Sequence, residues 1–312
     1  DEGTPINWSI RFGAGEPQSF TTHHIIYRTL EKPDVPLTLT PLDIGSRNGE
    51  GAVDADTLAE LIWREFQTLR VRVRQADVTG SVPRVTWVPH PNTGLPLTYY
   101  GSNIELPRCE TLTGLISNGN GDCFAWADLL VNTLAMQGLN ERAARVRISP
   151  QKDVGFLVQN WDFWLPALFG THPYVIGLNA LERKGKAGQS EDDPPSRFTN
   201  HWIVCFEKTT GETKLLDPSY GAPSNAFGYD TAAAYEAEAV AGYWSSRVKN
   251  RQAIPPFWAR TPSPADRLRY QAHIGGNAAC GASHGTSHRV FPSQTVSVPL
   301  DVASGQRQLL IG

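Results

Sequence analysis

A glycine-rich turn that runs into an apolar helix, with a cysteine in the helix's first turn, constrains this chain more than any other feature. From Leu115 the sequence reads LISNGNGDCFAWADLLVNTLAMQGL. Gly119 and Gly121 mark the turn. Asp122 is placed to cap a helix beginning at about Cys123, and Phe124, Ala127, Leu130, Val131 and Leu134 then make one apolar face. Gly138 stops the helix, and Arg145 to Ile148 reads as the strand that follows. Further on, HWIVCFE alternates, with Trp202, Val204 and Phe206 on one face and His201, Ile203 and Cys205 on the other. KTTGE is a turn and TKLLD the returning strand. The midpoint of 201 and 217 is residue 209, inside that turn. A hairpin folded there sets His201 and Asp217 nearly opposite each other on one face of a sheet.

These three residues carry the chemistry. At the first turn of a helix, unpaired amides and the helix dipole favour a thiolate on Cys123, and the same amides can hold a developing oxyanion. Asp217 can accept a hydrogen bond from one imidazole nitrogen of His201, leaving the other to take the thiol proton. That is the base-plus-orienter logic of a catalytic triad. Singly, each residue has an ordinary reading: a small buried thiol, a strand histidine, a strand-end aspartate before Pro218. Jointly, their order and faces favour catalysis.

Composition removes other classes. In 312 residues, 28 basic and 31 acidic side chains give a net charge of −3, which argues against a nucleic-acid binder and offers nothing to an anionic membrane surface. An apolar fraction of 40% supports a core. The longest apolar run, Phe156–Phe169, is broken by Gln159, Asn160, Asp162 and Pro166, short of the ~18 residues of a membrane span. The chain opens at Asp1 without an initiator methionine, so a secreted or periplasmic location is favoured over a cytoplasmic one as an expectation. The four cysteines (109, 123, 205 and 280) contain no CxxC pair; with Cys123 catalytic, one disulfide at most remains. Cys280, His284 and His288, with His273 nearby, have donors that suit zinc, but the glycines around them discourage a helix that would align them. No metal site and no cofactor are expected. His23 and His24 read as structural, and the Asn7-Trp8-Ser9 sequon as a chance match.

The remaining chain divides readily. The first fifty residues read as irregular strands and loops. A helix is expected from Asp56 to about Arg70, with Leu58, Leu61, Ile62, Phe66 and Leu69 in phase and Asp54 or Asp56 as cap. Val71 to Arg108 is β-type, Arg183–Arg197 a polar mobile loop, and Thr231 to Val248 an alanine-rich helix. A Gly/Ser/His-rich stretch (Ile274–Arg289) precedes a last strand near Thr295–Leu300. Of nine tryptophans, Trp126, Trp161, Trp164 and Trp202 are candidates for the walls of a substrate cleft, with core packing the ordinary alternative.

Gly121-Asp122-Cys123 through Ala127, the segment QGLNERAARVRI, His201-Trp202 and Leu216-Asp217-Pro218-Ser219 together resemble the transglutaminase-like superfamily, whose order Cys, His, Asp this chain keeps. The likeness covers roughly residues 55–220. It implies an α+β fold with a papain-like core, the cysteine helix packed on an antiparallel sheet that carries His and Asp. The organisation it implies is an irregular or β extension over 1–54, a catalytic core over 55–225 with an insertion at 153–199 that forms a lid or specificity wall, and a helical segment and tail over 226–312 packing on the core. In the family the second oxyanion donor is a tryptophan, glutamine or asparagine upstream of the cysteine; here the candidates are Trp87, Asn118 and Asn120. The activity implied is cysteine-dependent acyl transfer on amide bonds of a protein or peptide through a thioester. Hydrolysis (a peptidase or a glutamine amidase or deamidase) is favoured, as for bacterial members. One alternative is a protein-crosslinking transglutaminase; another is a binding or scaffold module in which the triad is idle.

Overall fold

The helix that begins at Cys123 and the sheet it lies on fix the position of the groups near that thiol. The computed structural model describes residues 4–24, 27–77, 84–101, 108–150, 154–158, 162–163, 183–184, 187–192, 194, 197–245, 248–249, 252–253, 257–259 and 268–273. In chain order the elements are β1 (Thr4–Ile10), β2 (Gln18–His24), α1 (Leu39–Asn48), α2 (Ala55–Gln67), β3 (Val73–Asp77), β4 (Arg84–Val88), β5 (Thr98–Tyr99), α3 (Leu112–Asn118), β6 (Asn120–Gly121), α4 (Cys123–Ala135), β7 (Ala143–Pro150), β8 (Val154–Val158) and β9 (Asp162–Phe163). There follow β10 (Arg183–Lys184), β11 (Arg197–Phe198), β12 (His201–Glu207), β13 (Thr213–Leu216), α5 (Ala232–Ala239), β14 (Val240–Ser245), β15 (Val248–Lys249), β16 (Gln252–Ala253), β17 (Phe257–Ala259) and β18 (Leu268–His273). The fold is α+β. A central antiparallel sheet runs β13-β12-β7-β18, and a second runs β11-β8-β14-β17. Among the described residues no helix is long and apolar enough to cross a membrane.

Local sequence explains the helices that build the core. In α4 the Asp122 carboxylate accepts from the Ala125 amide at 3.0 Å, which satisfies one of the orphan donors of the first turn. The helix closes at Gly138, whose φ of +83° lets its amide reach Ala135 O while Leu139 N reaches Leu134 O, the paired bonds of a Schellman ending. Ala125, Trp126, Leu129, Leu130 and Leu134 are buried, and α4 packs on β12 and β7. Arg145 on β7 ties the sheet to α4 through Asp128 at 2.8 Å. In α2, Asp54 is the cap, accepting from Thr57 N at 2.8 Å. Asp56 does something else: it receives the amide and hydroxyl of Thr209, at 2.9 and 2.7 Å, and so fastens the β12–β13 turn to the start of α2.

Four expectations are corrected. The first fifty residues are not all strand and loop, because Leu39–Asn48 is helical and packs against α4. Pro41 in its first turn is tolerated there, and Gly45 allows close approach: a Cβ at Gly45 would stand 3.1 Å from Thr133 O. These two weak helix formers hide the helix from a periodicity reading. The helix expected over Thr231–Val248 ends at Ala239, since Val240, Tyr243 and Trp244 are strand formers with Gly242 among them. The C-terminal region does more than pack on the core, for β18 is an edge of the central sheet, paired with β7. Finally, part of the expected mobile loop is tucked inward, with Gly188 and Gln189 buried. Its backbone bonds to Tyr99, Ser219 and Leu69, and protein carbonyls take the place of water for its polar side chains. The Gly/Ser/His-rich stretch and the last strand near Thr295–Leu300 lie outside the described residues.

Core and surface phenylalanines should separate cleanly in equilibrium urea unfolding. Phe66 is fully buried, stacked on Trp63 at 6.3 Å and edge-on to Trp126 at 6.4 Å; Phe66→Ala should lower stability by about 3–5 kcal/mol. Phe12, 77% exposed, should change it by no more than about 0.5 kcal/mol on replacement by Ala.

Candidate functional site

The hairpin β12–β13 delivers His201 and Asp217 with a register slightly different from the one expected. Val204 pairs with Leu216, which centres the hairpin on residue 210 and sets Ile203, not His201, level with Asp217. The cause is the turn, where Gly211 takes φ +84° and Lys208 N reaches Glu212 O. His201 and Asp217 are therefore diagonal neighbours of the same parity, still within side-chain reach. His201 Nε2 donates to Asp217 Oδ2 at 2.9 Å, and both side chains are 0% exposed. Val204, Ile203, Cys205 and Phe206 are also all buried, so β12 has no solvent face along its middle.

The second ring nitrogen, Nδ1, is buried without a hydrogen-bond partner, and Cys123, at the head of α4, is near enough for its charge to act on the imidazole. Phe198 and Tyr220 flank the imidazole, with ring centres 4.7 and 5.9 Å away. Burial opposes the imidazolium, but the Asp217 carboxylate and then the charge of Cys123 outweigh it and raise His201 to about 10. Cys123 is 4% exposed. It and Cys109 are reduced, and Cys205 is disulfide-bonded.

Asp217 is fixed from several directions. Its amide donates to Ala222 O and its carbonyl accepts from Ala222 N, at 2.9 and 3.1 Å; the Tyr235 hydroxyl donates to Oδ2 at 3.3 Å. The end of α2 holds the loop that follows. Trp63 Nε1 donates to Ala226 O at 3.1 Å, and Gln67 Nε2 to Pro223 O at 2.7 Å. Gln189, fully buried, joins the two: its Nε2 donates to Phe66 O at 2.7 Å and to Pro218 O at 2.8 Å. Its backbone bridges Tyr99 N and Ser219 O, at 2.8 and 3.0 Å. Gln189, Tyr220 and Tyr235 were not named from the sequence. Gln189 sits in a polar stretch without periodicity, which gave no signal; only Tyr220, three residues after Asp217, was within reach of a proximity argument.

The other named residues are distributed differently. Asn118 Nδ2 donates to Cys109 Sγ at 3.0 Å, so its amide is committed to the other thiol. Asn120 is buried, its Oδ1 accepting from Gly101 N at 3.0 Å; it braces the turn before Cys123. Trp87 lies on β4, in register with Arg74, and its side chain is outside the described residues. Trp126 is core and lines no cleft: it is fully buried, with its Nε1 directed at Thr98 O at 3.4 Å. Trp202 is half-buried, edge-on to Phe124 at 4.8 Å. Trp161, Trp164, Cys280, His284 and His288 lie outside the described residues. A comparison of the chain with family models, curated proteins and solved structures found no match.

Two outcomes follow from this geometry. Gln189→Ala strips hydrogen bonds from two buried carbonyls and should cost about 2–5 kcal/mol in urea unfolding, while Gln67→Ala, whose partners are nearer solvent, should cost less. His201 is raised from 6.5 to about 10, so its contribution to stability is fully present below pH 6.5 and is lost as pH climbs through about 10. Thermal unfolding of the wild type should show that loss across the window. His201→Gln should flatten it, and an unchanged slope in the variant would assign the effect to another group.

Proposed function

We propose that the chain is a cysteine-dependent acyl-transfer enzyme acting on amide bonds of proteins or peptides, with hydrolysis as its overall reaction. The observation that carries this reading is the buried His201–Asp217 pair, 2.9 Å long, whose second ring nitrogen is unpartnered while the charge of a thiol at the first turn of α4 acts on the ring. The finer fold we propose is a transglutaminase-like, papain-like core. Its support is an antiparallel sheet bearing base and orienter, with the thiol helix packed on it.

The chemistry runs through three side chains. The Cys123 thiol proton passes to His201 Nδ1 and the thiolate attacks the amide carbonyl carbon, whose π pair moves onto oxygen. As the tetrahedral adduct collapses, the imidazolium gives its proton to the departing amine, leaving a thioester. Water then attacks the thioester, His201 takes the water proton and returns it to sulfur, and the carboxylic acid leaves. Asp217 keeps its charge throughout. It holds the tautomer with hydrogen on Nε2 and stabilises the imidazolium. The low exposure of Cys123 favours a second reading, a binding module with the same three residues idle.

Iodoacetamide separates the two. An active site predicts alkylation of Cys123 near neutral pH much faster than that of Cys109, and slow, equal labelling of both would support the idle module. On a peptide library, ammonia release with and without a primary amine distinguishes side-chain amide chemistry and amine transfer from backbone cleavage. Cys123→Ala should bring turnover to background with the fold intact by circular dichroism, and Asp217→Asn should reduce kcat by up to about 10⁴-fold. Turnover that survives Cys123→Ala would end this reading.

A further inference from the structure

Asn118 gives its amide to Cys109 and Asn120 Oδ1 accepts from Gly101 N; other groups near Cys123 also bear on what partners the helix amides in holding an oxyanion. Tyr100 is the outstanding one. Its backbone is left-handed, φ +53°, a conformation that costs a residue with a side chain about 1–2 kcal/mol and that clusters at functional sites. The turn before Cys123 imposes it: Tyr100 N donates to Gly121 O at 3.1 Å, and the next amide, Gly101 N, donates to Asn120 Oδ1 at 3.0 Å. In parallel register Tyr99 is level with Gly121, two residues before the thiol.

The ring is then clamped. Tyr99 meets it edge-on at 4.8 Å and the Arg108 guanidinium lies over its face at 4.5 Å. These contacts use the ring and leave the phenolic oxygen unused, and no hydrogen bond to that oxygen is seen among the described residues. The residue is half-buried. It is thus a ring held beside the turn that leads into α4, with a hydroxyl free of hydrogen bonds among the described residues. Burial, and after it the charge of Cys123, push its titration above the usual tyrosine range, the latter ahead of the opposing pull of Arg108.

We infer that Tyr100 is a catalytic residue whose hydroxyl, with the amides at the start of α4, donates a hydrogen bond to the oxyanion formed when Cys123 attacks a carbonyl. This rests on the reading of Cys123 as nucleophile. The bond that forms is Sγ to carbon, the π pair moves to oxygen, and the phenol proton stays on Tyr100. Arg108 acts as a positioning residue through the ring.

The test uses a tripeptide aldehyde, whose hemithioacetal with Cys123 places an oxygen where the oxyanion would sit, and iodoacetamide, whose reaction forms no oxyanion. In Tyr100→Phe the alkylation rate of Cys123 without aldehyde should stay within twofold of wild type. The aldehyde concentration that protects Cys123 should rise tenfold or more, and kcat/KM on any peptide turned over should fall about 10²–10³-fold. Protection and turnover within threefold of wild type would overturn the inference while leaving the nucleophile standing. So would a parallel fall in alkylation, which would mean that Tyr100 acts on the thiolate. Turnover that survives Cys123→Ala overturns both readings together.

Discussion

An imidazole and a carboxylate, both without solvent exposure and 2.9 Å apart, set the terms for the rest of this molecule. Taking such a pair out of water costs several kcal/mol per ion, and the attraction offsets that only when the geometry is held and the spare valences are met. Here they are met incompletely. Asp217 Oδ1 is buried without a partner, while Oδ2 serves both His201 and Tyr235. A merely structural pair gains little from this arrangement that an apolar pair of similar volume would not supply. A catalytic pair gains a base of fixed orientation whose second nitrogen is left unpartnered.

Rigidity at Asp217 is supplied from outside the hairpin. β13 ends at Leu216, one residue short, so strand pairing alone does not fix the carboxylate. The constraint comes from the end of α2, through Trp63 and Gln67, and from Gln189, which binds a carbonyl on each side of the gap. α2 is itself anchored in the core by Leu58, Ile62 and Phe66 and tied to the β12–β13 turn through Asp56. One helix therefore holds both the turn between His201 and Asp217 and the loop that follows Asp217. Substitutions on the inner face of α2, far from the thiol, bear on the His201–Asp217 geometry as well as on stability.

The parts legible in the sequence were those written in local chemistry. Asp122 as a cap, Gly138 as a stop and the alternation of His201–Glu207 each state a conformation within a few residues, and the structure has them. The hairpin centre was one residue off because register depends on how Gly211 completes the turn. Gly45 and Pro41 masked α1 because their reason for being there is packing against α4, a tertiary fact. Gln189 was illegible for the same reason: a buried glutamine that bonds two distant carbonyls looks, in sequence, like any residue of a polar loop. Asn118 and Asn120 were named as oxyanion donors from the sequence; in the fold Asn118 donates to Cys109 and Asn120 Oδ1 accepts from Gly101, contacts that no local pattern states.

Strained and under-satisfied groups include a left-handed tyrosine at 100, a buried Nδ1, and orphan oxygens on Asp217 and Gln189, with others at Leu69, Ser190, Asp43 and Tyr229. Each is unfavourable by roughly one to a few kcal/mol. Those at His201, Asp217 and Gln189 are joined through Pro218 and the His201–Asp217 pair, and local consistency fails where a particular geometry is demanded. The surrounding elements show the opposite character. The side-chain-capped helices α2, α3 and α4 and the apolar cluster running from Ile44 to Ala239 supply the excess stability that lets a small, unfavourable, preorganised site persist.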